Sequence, residues 1–243
     1  MSVLHKGSLE SGDRRKFLKA IASGTALALT GVNQAVYGSP ESVSAGHGEE
    51  EVSPAEDLMR EHGVLKRVML VYEETLRRLH AGEELHPETL ADAAGIIRSF
   101  IEDYHEKLEE DFLFPRFRKA NKLVDLVDIL VEQHRAGRRL TDTTLRLANL
   151  KALKDPADRD TLADSLRRFI RMYSPHEARE DTVLFPAFRK IVSPSEYGAL
   201  GEEFEEKEHA LFGEDGFDMM VERVAAIEKS LGIFDLAQFT PKG

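Results

Sequence analysis

Apolar residues recur along this chain in steps of three and four. Between Pro54 and Ala81 the stripe is Leu58, His62, Leu65, Met69, Tyr72, Leu76 and Leu79. Such spacing gives a helix one face to turn to a core. Three more stretches repeat it: Leu90, Ala94, Ile97, Ile101, His105, Leu108 and Phe112; Leu123, Val127, Leu130 and His134; and Leu162, Leu166, Phe169, Tyr173, His176, Glu180 and Leu184. No stretch alternates apolar and polar residues long enough to read as a strand.

The boundaries are written in capping residues. Ser53-Pro54-Ala55-Glu56 is a capping box with proline at the first helical position, and Gly82 is the stop. His86-Pro87 opens a second helix expected to reach about Lys119, with Pro115 bending or ending it. Asn121 is expected to cap a third helix that runs to about Leu153. Asp155-Pro156 starts a fourth, with a kink or bulge expected at Ser174-Pro175. Ser193-Pro194-Ser195-Glu196 opens a very acidic fifth helix, Glu214-Asp215-Gly216 breaks the chain, and a last amphipathic helix runs to about Leu231. The tail beyond it reads as a packed arm. The pattern predicts an all-α fold: an up-down four-helix bundle over residues 53–190, and a helical extension over 191–243 that serves as a lid or a dimer surface.

Each of the four seams holds a histidine, and two hold a glutamate one turn later. His105 and Glu109, like His176 and Glu180, are four residues apart and share a helix face. The run HEKLEEDFLFPRFRK from His105 matches HEAREDTVLFPAFRK from His176 at 9 of 15 positions, at an offset of 71 residues. His62 and His134 stand 72 apart. The bundle is thus one hairpin written twice, with His62, His105, Glu109, His134, His176 and Glu180 facing inward in one layer. A lone histidine in an apolar seam is ordinarily a hydrogen-bonded core residue. Six matched groups differ, because two buried carboxylates without partners cost several kcal/mol and cations remove that cost. A His–Glu hydrogen-bond network without metal, or a single zinc, are the alternatives for the same residues.

The chain has no cysteine, so disulfides, iron–sulfur clusters and thiolate zinc are excluded, and a transition metal must use imidazole and carboxylate. Those donors favour iron, with manganese or zinc also compatible. His62 and His105 would serve one ion, His134 and His176 the other, and Glu109 and Glu180 would bridge them. The net charge is -11, which argues against nucleic-acid binding.

Residues 1–45 differ from the rest. Gly12-Asp13-Arg14-Arg15-Lys16-Phe17-Leu18-Lys19 precedes the weakly apolar run AIASGTALALTGVNQAV. This resembles a twin-arginine export signal, with Asp13 where Ser or Thr is usual. The run is too short and too rich in Gly and Ser for a stable membrane span. Val43-Ser44-Ala45 or Val36-Tyr37-Gly38 would be the cleavage site, residues 46–52 a solvated linker, and the periplasm the destination.

The six residues and the repeated Leu-Phe-Pro segments, over Pro54 to Lys190, resemble the hemerythrin-like, or HHE cation-binding, family. The resemblance implies a four-helix bundle with a non-haem di-iron centre, oxo- or hydroxo-bridged. Oxygen-carrying members place two histidines four apart on the third helix; here His134 is followed at that distance by Arg138. The four-His, two-Glu set is similar to the di-iron proteins of nitrosative stress and iron–sulfur repair, whose N-terminal Cys-pair domain has no counterpart here. The expected role is binding or sensing O2, NO or related small oxidants, or storing iron. The alternatives are a di-iron oxidoreductase reducing peroxide, O2 or NO, and a metal-free structural or partner-binding bundle. Expected partners are a small diatomic or peroxide ligand and the twin-arginine machinery; the sequence names no redox partner. His5 and His47 fall in tail segments, His80 and His86 flank a turn, and His209 reads as a surface residue. Tyr104 and Tyr173 are expected near the ligands as packing residues or hydrogen-bond donors.

Overall fold

The computed structural model describes residues 53–213 and 215–241. The export motif, the linker, His5 and His47 lie outside the described residues. The described residues form six helices and no strand. α1 (Pro54–Ala81) begins as expected: the Ser53 hydroxyl accepts from the Glu56 N–H, and Gly82 ends the helix at φ 67°. α2 covers residues 87–119, α3 is Val124–Leu147, and α4 covers residues 156–191. α1 packs on α2 and α4, and α3 packs on α2 and α4, which closes an up-down ring. None of these helices is long and apolar enough to cross a membrane.

The seams point where the sequence put them. Leu58, Leu65, Met69, Tyr72, Leu90, Ile97, Ile101, Leu130, Leu162, Leu166, Phe169 and Tyr173 are all buried. Leu76, Leu79 and Phe112 are half-buried, and Leu123 is exposed, at 37%. It takes a left-handed backbone (φ 49°) just before α3, so its side chain leaves the seam. Asn121 is also left-handed (φ 49°) and therefore does not cap the helix; α3 starts at Val124. α3 ends six residues before the expected Leu153. Asn149 ends it, because its side-chain oxygen accepts from the N–H groups of Lys151 and Ala152 and starts a new turn.

Neither proline breaks its helix where expected. α2 runs through Pro115 because a π-helical turn, Glu109–Leu113, precedes it. The Phe114 N–H reaches back five residues to the Glu109 carbonyl, and the wider turn makes room for a ring that clashes with a regular one. α4 does the same: Pro175 sits inside regular helix, and the π turn comes five residues later, at Glu180–Leu184, ahead of Pro186. A third π segment, Ile97–His105, leads into the first histidine–glutamate pair.

The extension is neither a detached lid nor a loose arm. α5 (Pro194–Phe212) and α6 (Gly216–Leu231) bury Leu200, Phe204, Met220, Val224 and Ile227. α6 lies on α1 and α2. Arg67 holds Glu228 through two hydrogen bonds, at 2.9 and 2.5 Å. Beyond Gly232 the tail is not the expected packed arm: Phe234, Leu236 and Phe239 are all exposed.

α3 and α4 approach closely at Gly137, where a Cβ would collide with the Tyr173 hydroxyl. Gly137→Ala is therefore expected to cost about 1–3 kcal/mol of stability by overpacking, read by urea denaturation. Adding Tyr173→Phe should return part of that loss. An uncoupled pair of effects would show that the contact does not fix the α3–α4 spacing.

Candidate metal centre

α1 contributes His62, α2 His105 and Glu109, α3 His134, and α4 His176 and Glu180. All six are buried, none more than 4% exposed. The rings form two pairs, His62 with His105 (centroids 4.7 Å apart) and His134 with His176 (5.1 Å). The carboxylates stand between the pairs. Glu180 lies 3.4 Å from His62 Nε2 and 3.1 Å from His176 Nε2; Glu109 lies 3.4 Å from His134 Nε2 and 3.9 Å from His105 Nε2. Of four groups of donor atoms among the described residues compact enough to hold a cation, two are drawn wholly from this layer: Glu109, His134, His176 and Glu180, and His62, His105 and Glu109. Both glutamates begin a π turn, so the widened backbone sits directly under the inward carboxylates.

Every imidazole is held from behind through Nδ1. His62 meets Asp181 at 2.7 Å, His105 meets Glu61 at 2.7 Å, His134 meets Glu110 at 3.1 Å and His176 meets Gln133 at 2.8 Å. An Nδ1–H given to an acceptor fixes the tautomer that leaves Nε2 bare and inward, as a cation requires. On that inner side both oxygens of Glu109, both oxygens of Glu180 and the Nε2 of His134 are buried without a hydrogen-bond partner. Phe185 stacks on His62 and Phe114 on His134 (centroids 5.6 Å apart in each), closing the layer from one end.

The electrostatics state the same frustration. Burial, then the neighbouring Glu180 charge, push the Glu109 carboxyl up to about 7. Burial also opposes a charged Glu180, yet the His176 and His62 rings beside it hold its carboxyl well below the usual carboxylate range. Burial works against the His62 imidazolium, but the Asp181 and Glu180 carboxylates outweigh it and raise the ring to about 10. At His134 burial is likewise outweighed, by Glu106, Glu109 and Glu110, again to about 10. Burial and the His62 charge hold His105 well below its ordinary value. Two carboxylates in this layer keep their charge only where positive charge is shared among them, whether as protons on the rings or as a cation.

The repeat extends beyond the six residues, which the seam pattern alone did not reveal. Glu61 and Gln133 are 72 apart and serve His105 and His176; Glu110 and Asp181 are 71 apart and serve His134 and His62. Arg138, four after His134, pairs with Glu106 at 2.7 Å, and Lys66, four after His62, pairs with Glu177. Glu106 also accepts from the Tyr173 hydroxyl at 2.6 Å. Their adjacency to the six residues was the only signal available. Tyr104 points away, toward Glu208 (3.4 Å). His209 is a surface residue beside Glu205 (3.9 Å), and His80 and His86 are exposed.

The sequence model of the family described as "Hemerythrin HHE cation binding domain" matches residues 53–187 and, in a second overlapping register, residues 125–239. The chain is 53% identical over 190 residues to "Uncharacterized protein Rv1995" of Mycobacterium tuberculosis, covering 78% of this chain and 74% of that one. It matches "Uncharacterized protein Mb2018" of Mycobacterium bovis to the same extent. No solved structure matches.

If the outer acceptors orient the rings, Gln133→Ala should weaken cation affinity about 10–100-fold, while Glu132→Ala, on the exposed side of the same helix, leaves it unchanged. Chelator competition reads both. Equal affinity in Gln133→Ala would separate the outer acceptors from the centre.

Proposed function

Because the chain belongs to the hemerythrin HHE cation-binding family, we propose that His62, His105, Glu109, His134, His176 and Glu180 hold two iron ions, and that the protein binds or senses O2, NO or related small oxidants, or stores iron, after export by the twin-arginine pathway. The observation that carries the metal reading is the set of buried atoms on the inner side of the layer that make no hydrogen bond and face only one another: four carboxylate oxygens and an imidazole nitrogen. Native proteins rarely leave such groups unsatisfied. A first-row cation satisfies them together, and imidazole with carboxylate suits iron.

A pair of iron ions supplies redox chemistry and open positions for a small ligand. The chain's own residues do the rest. His62 with His105 and His134 with His176 would hold one ion each through their Nε2 atoms, and Glu109 and Glu180, which lie between the two pairs, would be available to both. Asp181, Glu61, Glu110 and Gln133 aim the rings. Phe114 and Phe185 shield the layer from water. With every ligand side chain this deeply buried, only a small molecule can reach the ions. Where oxygen carriers have a fifth histidine, Arg138 is committed to Glu106 and Glu110, at 2.7 and 2.8 Å, which favours a site that senses or stores over one that carries O2. Residues 53–190 form the metal-bearing bundle in this reading, and α5 and α6 of the extension brace it, α5 on α1 and α6 on α1 and α2. Arg14, Arg15 and the weakly apolar run support export to the periplasm.

His105→Ala and His176→Ala are each expected to lower iron content and melting temperature together, since a bound metal stabilises the folded state by linkage. The iron should also leave as pH falls, because every ligand must be deprotonated to bind. Full iron content in both variants would remove these residues from the ligand set. Separately, the Arg14→Lys/Arg15→Lys precursor should stay in the cytoplasm; mature protein outside the inner membrane would end the export reading.

A further inference from the structure

A cleft of about 410 Å³ opens to the surface between α2 and α3. Four cations line it, Lys107, Arg118, Arg135 and Arg138, against two carboxylates, Glu110 and Asp111, with Phe114 buried beneath. It has no assigned role, and it touches the back of the metal layer. Phe114 stacks on His134, and Glu110 accepts from His134 Nδ1.

The two-fold repeat makes the cleft informative. The inward residues of the two halves are duplicated, so the halves would be expected to carry equal mouths. At the positions equivalent to Lys107 and Arg135 the other half has Ala178 and Gly63. Arg118 and Arg138 correspond to Arg189 and Lys66. The chain thus adds two cations at one mouth only, on a protein whose net charge is -11. A concave cluster of cations on an acidic protein focuses potential and concentrates anions.

Lys107 pairs with Glu110, and Arg138 with Glu106 and Glu110, which leaves two of these cations available for a ligand. Arg118 pairs with Asp128 and Arg135 with Glu132, both carboxylates more than 60% exposed. Exposed pairs of this kind are worth little and exchange readily. A guanidinium carries five N–H donors in a fixed fork that matches a carboxylate, and each of these two uses one of them in its pair. Val131, half-buried, offers apolar surface beside the charges.

We propose that this cleft binds a small organic anion, a carboxylate with an apolar part, directly behind His134. Arg118 and Arg135 take its carboxylate. Bound there, the anion competes with Glu110 for Lys107 and Arg138, and Glu110 holds His134 through Nδ1, so occupancy is transmitted to the centre. The proposal deepens the metal reading but is measured apart from it. Binding is read by calorimetry, metal loading by elemental analysis, and transmission by the absorption spectrum of the iron-loaded chain.

Benzoate is the probe, and benzamide its neutral counterpart. Benzoate should bind the full chain saturably and benzamide should not. The Arg118→Ala/Arg135→Ala variant, which alters two exposed side chains, should lose at least fivefold in benzoate affinity with its metal content intact. Arg167→Ala/Arg168→Ala removes the same charge from the exposed face of α4 and should leave affinity unchanged. A smaller loss at the cleft, an equal loss at α4, benzamide binding as well as benzoate, or no saturable benzoate heat would each overturn the proposal. Benzoate binding with an unmoved iron spectrum would overturn transmission to His134. A chain that binds benzoate but holds no iron would sink the metal reading and leave the cleft standing.

Discussion

Two carboxylates buried among apolar side chains set the terms for this fold. Taking each out of water costs several kcal/mol unless a charge partner repays it, and the carboxylate oxygens of Glu109 and Glu180 make no well-formed hydrogen bond. What they have is four imidazole nitrogens at 3.1–3.9 Å. The helices around them are shaped to this end. Each glutamate begins a π turn, each histidine is held through its outer nitrogen, and phenylalanines close over two of the rings. The apolar seams make a bundle; the polar layer determines which bundle it is.

The repeat shows which features belong to the centre and which to one half alone. The inward His–Glu set, the outer acceptors and the flanking Arg138–Glu106 and Lys66–Glu177 pairs all occur twice. Tyr173 does not: its counterpart 71 residues earlier is Glu102, and it fits only because Gly137 faces it without a side chain. One side of the layer therefore has a phenol bound to Glu106 and a basic cleft behind His134. The histidine–glutamate chemistry is symmetric, and its surroundings are not.

Much of this was legible in the sequence because helical periodicity is a local property. His62, His105, His134 and His176 each fall on a seam, and a seam residue faces inward wherever its helix packs. The capping boxes at Ser53 and Ser193 were readable for the same reason. The residues that escaped depend on partners across helices. Glu61 serves a histidine on α2 rather than its neighbour His62, and Asp181 serves one on α1. Pro115 does not end its helix because a π turn, not a regular α-turn, stands ahead of it, and the irregularity expected at Ser174-Pro175 lies instead at Glu180–Leu184. Asn121 and Leu123 are left-handed in a connection whose geometry follows from the helices it joins, and nothing in their own identities shows it. Phe234, Leu236 and Phe239 look like core residues by composition, yet no surface of the bundle receives them.

The central claim is that the layer holds two metal ions, and counting them tests it most directly. Elemental analysis of the chain purified with iron supplied, joined to an absorption spectrum in air, should give about two irons per chain and the near-ultraviolet bands of an oxo-bridged pair. No iron, or a single zinc, would contradict the account and leave the six residues as a buried hydrogen-bond network or a different kind of metal site.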